Sequence, residues 1–79
     1  MFRLSINALD KSIFDGQAEF LTLPGAEGEL TILENHLPLV TPLKEGKLSF
    51  KTGNKEESLL IKGGVLEVGP KKVIVLVNI

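Results

Sequence analysis

Apolar residues in this chain recur at every second position and nowhere trace a helical stripe, and that regularity decides what it can fold into. Phe2, Leu4 and Ile6 alternate with Arg3 and Ser5, the period of a strand with one buried face. Leu30 and Ile32 repeat the pattern, as do Leu48 and Phe50. Residues 59–61 and 65–68 are short apolar runs. The β-branched run 73–77 reads as a strand covered on both faces. No segment places apolar residues at i, i+3, i+4 and i+7 over a helical length, so the fold class is all-β.

Turn-forming residues punctuate the strands. Asp15-Gly16, Pro24-Gly25 with Gly28, Lys44-Glu45-Gly46, Gly53-Asn54 and Gly69-Pro70 all read as turns. Pro24-Gly25 suits the two central positions of a type II turn, because proline presets φ and glycine accepts a positive one. Gly53-Asn54 suits a tight hairpin between residues 48–51 and 58–61. Gly63-Gly64 marks a bulge or a close approach of two backbones. Pro38 and Pro42 bracket residues 39–41 and make that strand an edge or an entry segment. Many short strands separated by such turns predict a small sandwich or barrel, as one domain over residues 1–79.

Size makes this demanding. A domain of 79 residues buries only about 60–65% of its unfolded surface, and scaffolds this small usually need a staple, a metal, a partner or a very regular core. Cysteine is absent, which removes disulfides, thiol nucleophiles and thiolate zinc sites. The longest unbroken apolar run is five residues, far short of a membrane span or a signal-peptide core. With no Trp or Tyr and four Phe, platforms for stacking bases or sugars are poorly supplied. A net charge of −1 also argues against nucleic acid.

That small net charge hides an asymmetry. Residues 12–43 contain no Lys or Arg and carry Asp15, Glu19, Glu27, Glu29 and Glu34, a formal −5. Residues 44–79 carry a formal +3. The acidic stretch is either a set of solvated strand faces or a patch that meets a basic partner.

Catalytic chemistry finds little support. His36 is the single histidine, and Ser5, Ser12, Ser49 and Ser58 sit in strand patterns or turns, not in a nucleophile elbow. A metal would have to be held by carboxylates alone, and no Asp-rich loop exists. The stretch from Gly64 to Lys72 superficially resembles a phosphate loop, but Pro70 stands where the lysine belongs and no helix follows. Glu27 and Glu29, two apart, would project to one side of an extended segment. Without aromatics or a second polar cluster nearby, they read as exposed charges and not as an acid/base pair.

Taken together in order, several blocks resemble a known family. These are Phe14-Asp-Gly-Gln-Ala-Glu19, Leu23-Pro-Gly-Ala-Glu-Gly-Glu-Leu30, Ile32-Leu-Glu-Asn-His-Leu-Pro-Leu-Val-Thr-Pro-Leu43, Lys62-Gly-Gly-Val-Leu-Glu-Val68 and residues 73–76. In order and spacing they resemble the epsilon subunits of F-type ATP synthases, called delta in mitochondria. The resemblance implies a small antiparallel β-sandwich of about ten short strands at the foot of the central stalk. There it would link the gamma subunit to the membrane-embedded c ring and couple proton flow to ATP synthesis. It implies no catalytic group, cofactor or metal, and no nucleic acid. Contact with the membrane would be indirect, through the complex at the cytoplasmic face of a bacterial membrane or the equivalent organelle side. The isolated domain would be monomeric.

By position, Glu27, Gly28, Glu29 and Leu30 match the family's contact with the c-ring loops, where Glu29 would face arginine. His36, Leu37, Pro38, Leu39 and Thr41 match its contact with gamma. Thr31 departs from a usual glycine, and Glu34-Asn35 from a usual Pro-Gly or Pro-Asn, which bears on local loop shape. Family members usually continue into a C-terminal helical hairpin that in many species regulates hydrolysis and in some binds ATP. The sequence runs to Ile79, at the end of the last sandwich strand, and neither property is assigned to it. Two other classes compete. A free-standing β-barrel binding oligonucleotide or glycan would need a face of exposed aromatics and cations. An enzyme would need carboxylates converging on His36.

Overall fold

The computed structural model describes residues 1–34 and 37–79. Among the described residues every regular element is a strand: β1 (Phe2–Ala8), β2 (Lys11–Ala18), β3 (Phe20–Gly25), β4 (Gly28–Ile32), β5 (Leu39–Leu43), β6 (Gly46–Thr52), β7 (Lys55–Ile61), β8 (Gly63–Val68) and β9 (Lys72–Asn78). Nine strands stand where the resemblance implied about ten. They form one sheet in the order β2-β1-β9-β8-β5-β3-β6-β7, with β4 attached through β3. The sheet curls on itself until β2 meets β6, where the Phe14 and Phe50 rings lie 4.6 Å apart. The result is a β-sandwich whose layers are β2-β1-β9-β8-β5 and β4-β3-β6-β7.

Alternation along each strand feeds one core. Leu4 and Ile6 of β1, Leu21 and Leu23 of β3, Leu48 and Phe50 of β6, Leu66 and Val68 of β8, and Val73, Val75 and Val77 of β9 are all buried in it. Ser5 is the one buried polar residue among those described, and its Oγ accepts a hydrogen bond from Asn7 Nδ2 at 2.9 Å.

The pairing is not wholly antiparallel. β1 and β9 run parallel, with Leu4 beside Val73 and Ile6 beside Val75. No tight turn joins these two strands, and their directions are set by the antiparallel pairing of β1 with β2 and of β9 with β8. Residues 73–77 are also not covered on both sides: Val73, Val75 and Val77 point inward, while Leu76 is 53% exposed. A run of β-branched and aliphatic residues cannot by itself show whether its outer face has a cover.

Two turn assignments also change. Asp15 and Gly16 lie within β2, opposite Ser5 and Leu4, and the turn is at Leu9-Asp10. Gly16 leaves room for the Phe14 ring, since a Cβ there would come within 3.1 Å of Phe14 Cζ. Asp15 pairs with Arg3 across the strands at 2.9 Å. Pro24 and Gly25 likewise finish β3, and the loop beyond them is Ala26-Glu27. The Gly53-Asn54 hairpin forms as expected, with Thr52 opposite Lys55. Gly64 is the close approach anticipated for the double glycine: a Cβ at that position would collide with the Leu76 carbonyl oxygen.

The strand pattern makes the energetic cost of a truncation depend on parity. Leu66→Ala, in the core, should cost about 2–5 kcal/mol in urea unfolding. Leu76→Ala, on the outer face of the neighbouring strand, should cost about 1 kcal/mol or less. Equal losses at the two positions would contradict the one-sided burial described here.

Candidate interaction surface

The acidic stretch divides once it is folded. Asp15 is held by Arg3, Glu19 Oε2 lies 3.4 Å from Lys51 Nζ, and Glu34 Oε1 lies 2.7 Å from the Met1 ammonium group. Glu27 and Glu29 form no ion pair or side-chain hydrogen bond among the described residues. Three of the five carboxylates are therefore tied within the chain, and the two left over are those that the family resemblance assigned to partner contact.

Their position follows from a tight hairpin. β3 and β4 pair from Leu21 opposite Ile32 to Gly25 opposite Gly28, leaving Ala26-Glu27 as a two-residue loop. Gly28 takes a φ of +140°, which a side chain would resist. Gly25 has no room for one, because a Cβ would come within 2.7 Å of the Gly28 carbonyl oxygen and 2.9 Å of Leu30 Cδ1. Leu30 is half-buried against the core and anchors β4. Glu27 therefore sits at the hairpin tip and not on an extended segment, with Glu29 exposed on the strand beside it.

The hairpin is seated on β5 at one corner. Ala26 N donates to the Pro42 carbonyl at 3.1 Å, and Lys44 N donates to the Pro24 carbonyl at 2.9 Å. Between hairpin and strand runs an open groove of about 370 Å³, lined by Glu27, Gly28, Glu29 and Leu30 on one side and Leu39, Val40, Thr41 and Pro42 on the other. No Lys or Arg lines it. The family resemblance assigned these two blocks to different partners, and the structure brings both to the lining of one groove.

The rest of the second block is placed as follows. Leu37 is 82% exposed, Pro38 is exposed, Leu39 is 40% exposed, and Thr41 is half-buried. His36 lies outside the described residues. β5 is an edge over most of its length, as its flanking prolines suggested. It pairs with β8 throughout and with β3 only at Leu43.

Sequence reasoning missed the neighbours of this block. Val40 is 69% exposed between two residues that were singled out. Pro42, Val65, Leu76 and Asn7 are successive register partners across β5, β8, β9 and β1. Val65 and Leu76 thus extend an exposed apolar row across the outer face, toward the fully exposed Leu9 at the β1–β2 turn. The signal was present in the alternation of β8 and β9, but their register decides that the residues adjoin.

The aromatics offer no comparable surface. Phe2 and Phe50 are buried, and Phe14 and Phe20 are half-buried. The face of exposed aromatics that a nucleic-acid or glycan binder would need is therefore not formed by these residues. No group of three His, Asp or Glu residues is arranged for a metal among the described residues.

Fold and surface together define a small β-sandwich whose distinctive features are unpaired carboxylates and exposed apolar side chains, the equipment of an interaction domain. Comparison with known proteins gives the family. Residues 1–79 match the family described as ATP synthase, Delta/Epsilon chain, beta-sandwich domain, and the chain belongs to it. It is 42% identical over 76 residues to the ATP synthase epsilon chain of Dehalococcoides mccartyi, covering 96% of this chain and 54% of that one. It is 44% identical over 78 residues to the epsilon chain of Janthinobacterium sp. (strain Marseille), covering 96% and 56%. The chain thus spans about half the length of these curated relatives.

Among solved structures, a chain of the Euglena gracilis mitochondrial ATP synthase (OSCP/F1/c-ring, rotational state 1) superposes with a TM-score of 0.88 at 25% identity, covering 96% of this chain and 49% of that one. A chain of the Tetrahymena thermophila central stalk and c-ring structure superposes with a TM-score of 0.82 at 20% identity, covering 99% and 63%, and shares the fold.

Because the hairpin tolerates no Cβ at Gly25, Gly25→Ala should destabilise the protein by about 1–3 kcal/mol. The largest amide shifts in an NMR spectrum should fall on residues 26–30 and 42–44. A spectrum perturbed only at the substituted residue would argue against the hairpin's dependence on this packing.

Proposed function

We propose that this domain serves as the non-catalytic epsilon component of the central stalk of an F-type ATP synthase. In this role it links the gamma subunit to the c ring, so that proton-driven rotation reaches the catalytic head. The observation that carries this reading is the unpaired state of Glu27 and Glu29 on a groove without cations, in a chain that otherwise pairs its acidic stretch internally. Guanidinium groups presented by the loops of the c ring fit such carboxylates, because each pair can be charge-assisted and bidentate. Several weak, partly exposed pairs would grip a ring without requiring matched symmetry.

Gamma is assigned the apolar side, through His36, Leu37, Pro38, Leu39 and Thr41, with the row through Val65 and Leu76 as its continuation. Burial of that face in the complex would supplement a core of limited size. The 79 residues act here as one domain, monomeric when isolated and needing no cofactor. No helix among the described residues is long and apolar enough to cross a membrane. The proposed site of action is the cytoplasmic face of a bacterial membrane, reached through the complex, or the equivalent side of an organelle membrane.

Two measurements test the assignment. Glu27→Lys with Glu29→Lys, introduced into the assembled ATP synthase, should leave ATP hydrolysis running while proton pumping into inverted vesicles falls severalfold. Coupling that survives both reversals would remove the electrostatic contact. Leu37→Asp with Leu39→Asp should lower affinity for gamma by roughly tenfold or more, with little change in the unfolding midpoint, since both side chains are exposed. Undiminished co-purification with gamma would exclude this face as its seat.

A further inference from the structure

β8 lies inside the sheet, between β5 and β9. Its alternation sends Leu66 and Val68 into the core and Val65 and Glu67 to the outer face. Register sets Val40 of β5 on one side of Glu67 and Ile74 of β9 on the other. Val65 stands two residues back along β8 on the same face. Val40 is 69% exposed, Val65 is 42% exposed and Ile74 is half-buried. An exposed carboxylate is thus bordered by aliphatic side chains on three sides.

No cation of the chain is bound to it. Glu67 forms no ion pair or side-chain hydrogen bond among the described residues. This holds although it belongs to residues 44–79, which carry a formal +3. Lys72, its diagonal neighbour on β9, likewise forms no ion pair among those residues. The other acidic residues of that half are placed differently. Glu45 lies in the connection from β5 to β6, and Glu56 and Glu57 lie on β7, the last strand of the sheet order. Water reaches those positions from an open side, whereas a partner that covers the outer face of β5, β8 and β9 closes over Glu67.

Covering this face strips water from the carboxylate, and a buried charge without a partner strongly opposes association. A purely aliphatic surface therefore does not fit. A surface that carries one lysine or arginine among apolar side chains does, because the pair then forms inside a ring of side chains that excludes water. Lys71 and Lys72 share a shallow pocket with Glu67 and Ile74 on the flank toward the β8–β9 turn, where they repel a second cation.

We infer that Glu67 is the charged anchor of the gamma contact. It accepts a charge-assisted hydrogen bond from one lysine or arginine of gamma, while Val40, Val65, Ile74 and Leu76 receive the apolar side chains around that cation. This rests on the seat of gamma proposed above and adds the chemistry of the matching surface. A contact made of aliphatic side chains alone is free to slide along the row, and the charge pair fixes its register.

The discriminating substitution is Glu67→Leu, which enlarges the apolar surface while removing the charge, with affinity for purified gamma as the readout. With a cation opposite, binding should weaken at least tenfold, mainly through faster dissociation, and Glu67→Lys should weaken it further. Reversing one lysine or arginine of gamma to glutamate should restore binding to the Glu67→Lys chain. Unfolding midpoints should stay close to that of the unsubstituted chain, because Glu67 is exposed.

Binding unchanged or tightened by Glu67→Leu would overturn the inference, since a carboxylate that stays in water gives that result. Failure of every such reversal in gamma to restore the Glu67→Lys chain would overturn it as well. The seat of gamma fails separately, if Leu37→Asp with Leu39→Asp leaves co-purification undiminished.

Discussion

The corner where the β3–β4 hairpin meets β5 carries the rest of the architecture. Gly25 stands opposite Leu43, Ala26 donates to Pro42, and Lys44 donates to Pro24. Here the chain passes from β5, paired with β8 in one layer, to β6, paired with β7 in the other. These backbone contacts join the two layers into one curled sheet. They hold the acidic hairpin against β5, and they orient the backbone of the strand that forms the far wall of the groove.

The distribution of charge follows from that geometry. A stretch with five carboxylates and no cations would repel itself if all of it faced solvent together. Strand pairing brings Arg3 to Asp15 and Lys51 to Glu19, drawing cations from outside the stretch. The hairpin is the part that no such cation reaches, so Glu27 and Glu29 keep their full attraction for a partner. Exposed pairs of this kind contribute little to folding, about 1 kcal/mol or less each, and the fold does not depend on them. Stability comes from aliphatic burial, and the hairpin charges remain free for recognition.

The fold class was readable because the physics that writes it is local. Alternation at Phe2, Leu4 and Ile6 or at Leu48 and Phe50 is a direct record of a strand with one wet face. The Gly53-Asn54 loop was legible for the same reason, since two residues of turn chemistry suffice to reverse a strand. Asp15-Gly16 misled because the same dipeptide serves a different need in β2, where glycine makes room for a ring and aspartate meets an arginine. Of the candidate site, Glu27, Gly28, Glu29, Leu30, Leu37, Pro38, Leu39 and Thr41 were named from their likeness to a family. Val40, Val65 and Leu76 were missed, because their importance lies in adjacency across strands.

By itself the sequence determined an all-β chain, the placement of most strands, the absence of thiol chemistry and the presence of an acidic stretch. These are properties of composition and short-range pattern, which no tertiary contact can alter. Only the tertiary structure decided which carboxylates stay unpaired, which apolar residues remain outside, and that two separate blocks share one groove. Those outcomes depend on register and on the direction of backbone groups at a corner joining residues about 16 to 20 positions apart. Such long-range pairing is fixed only when the whole sheet closes over its core.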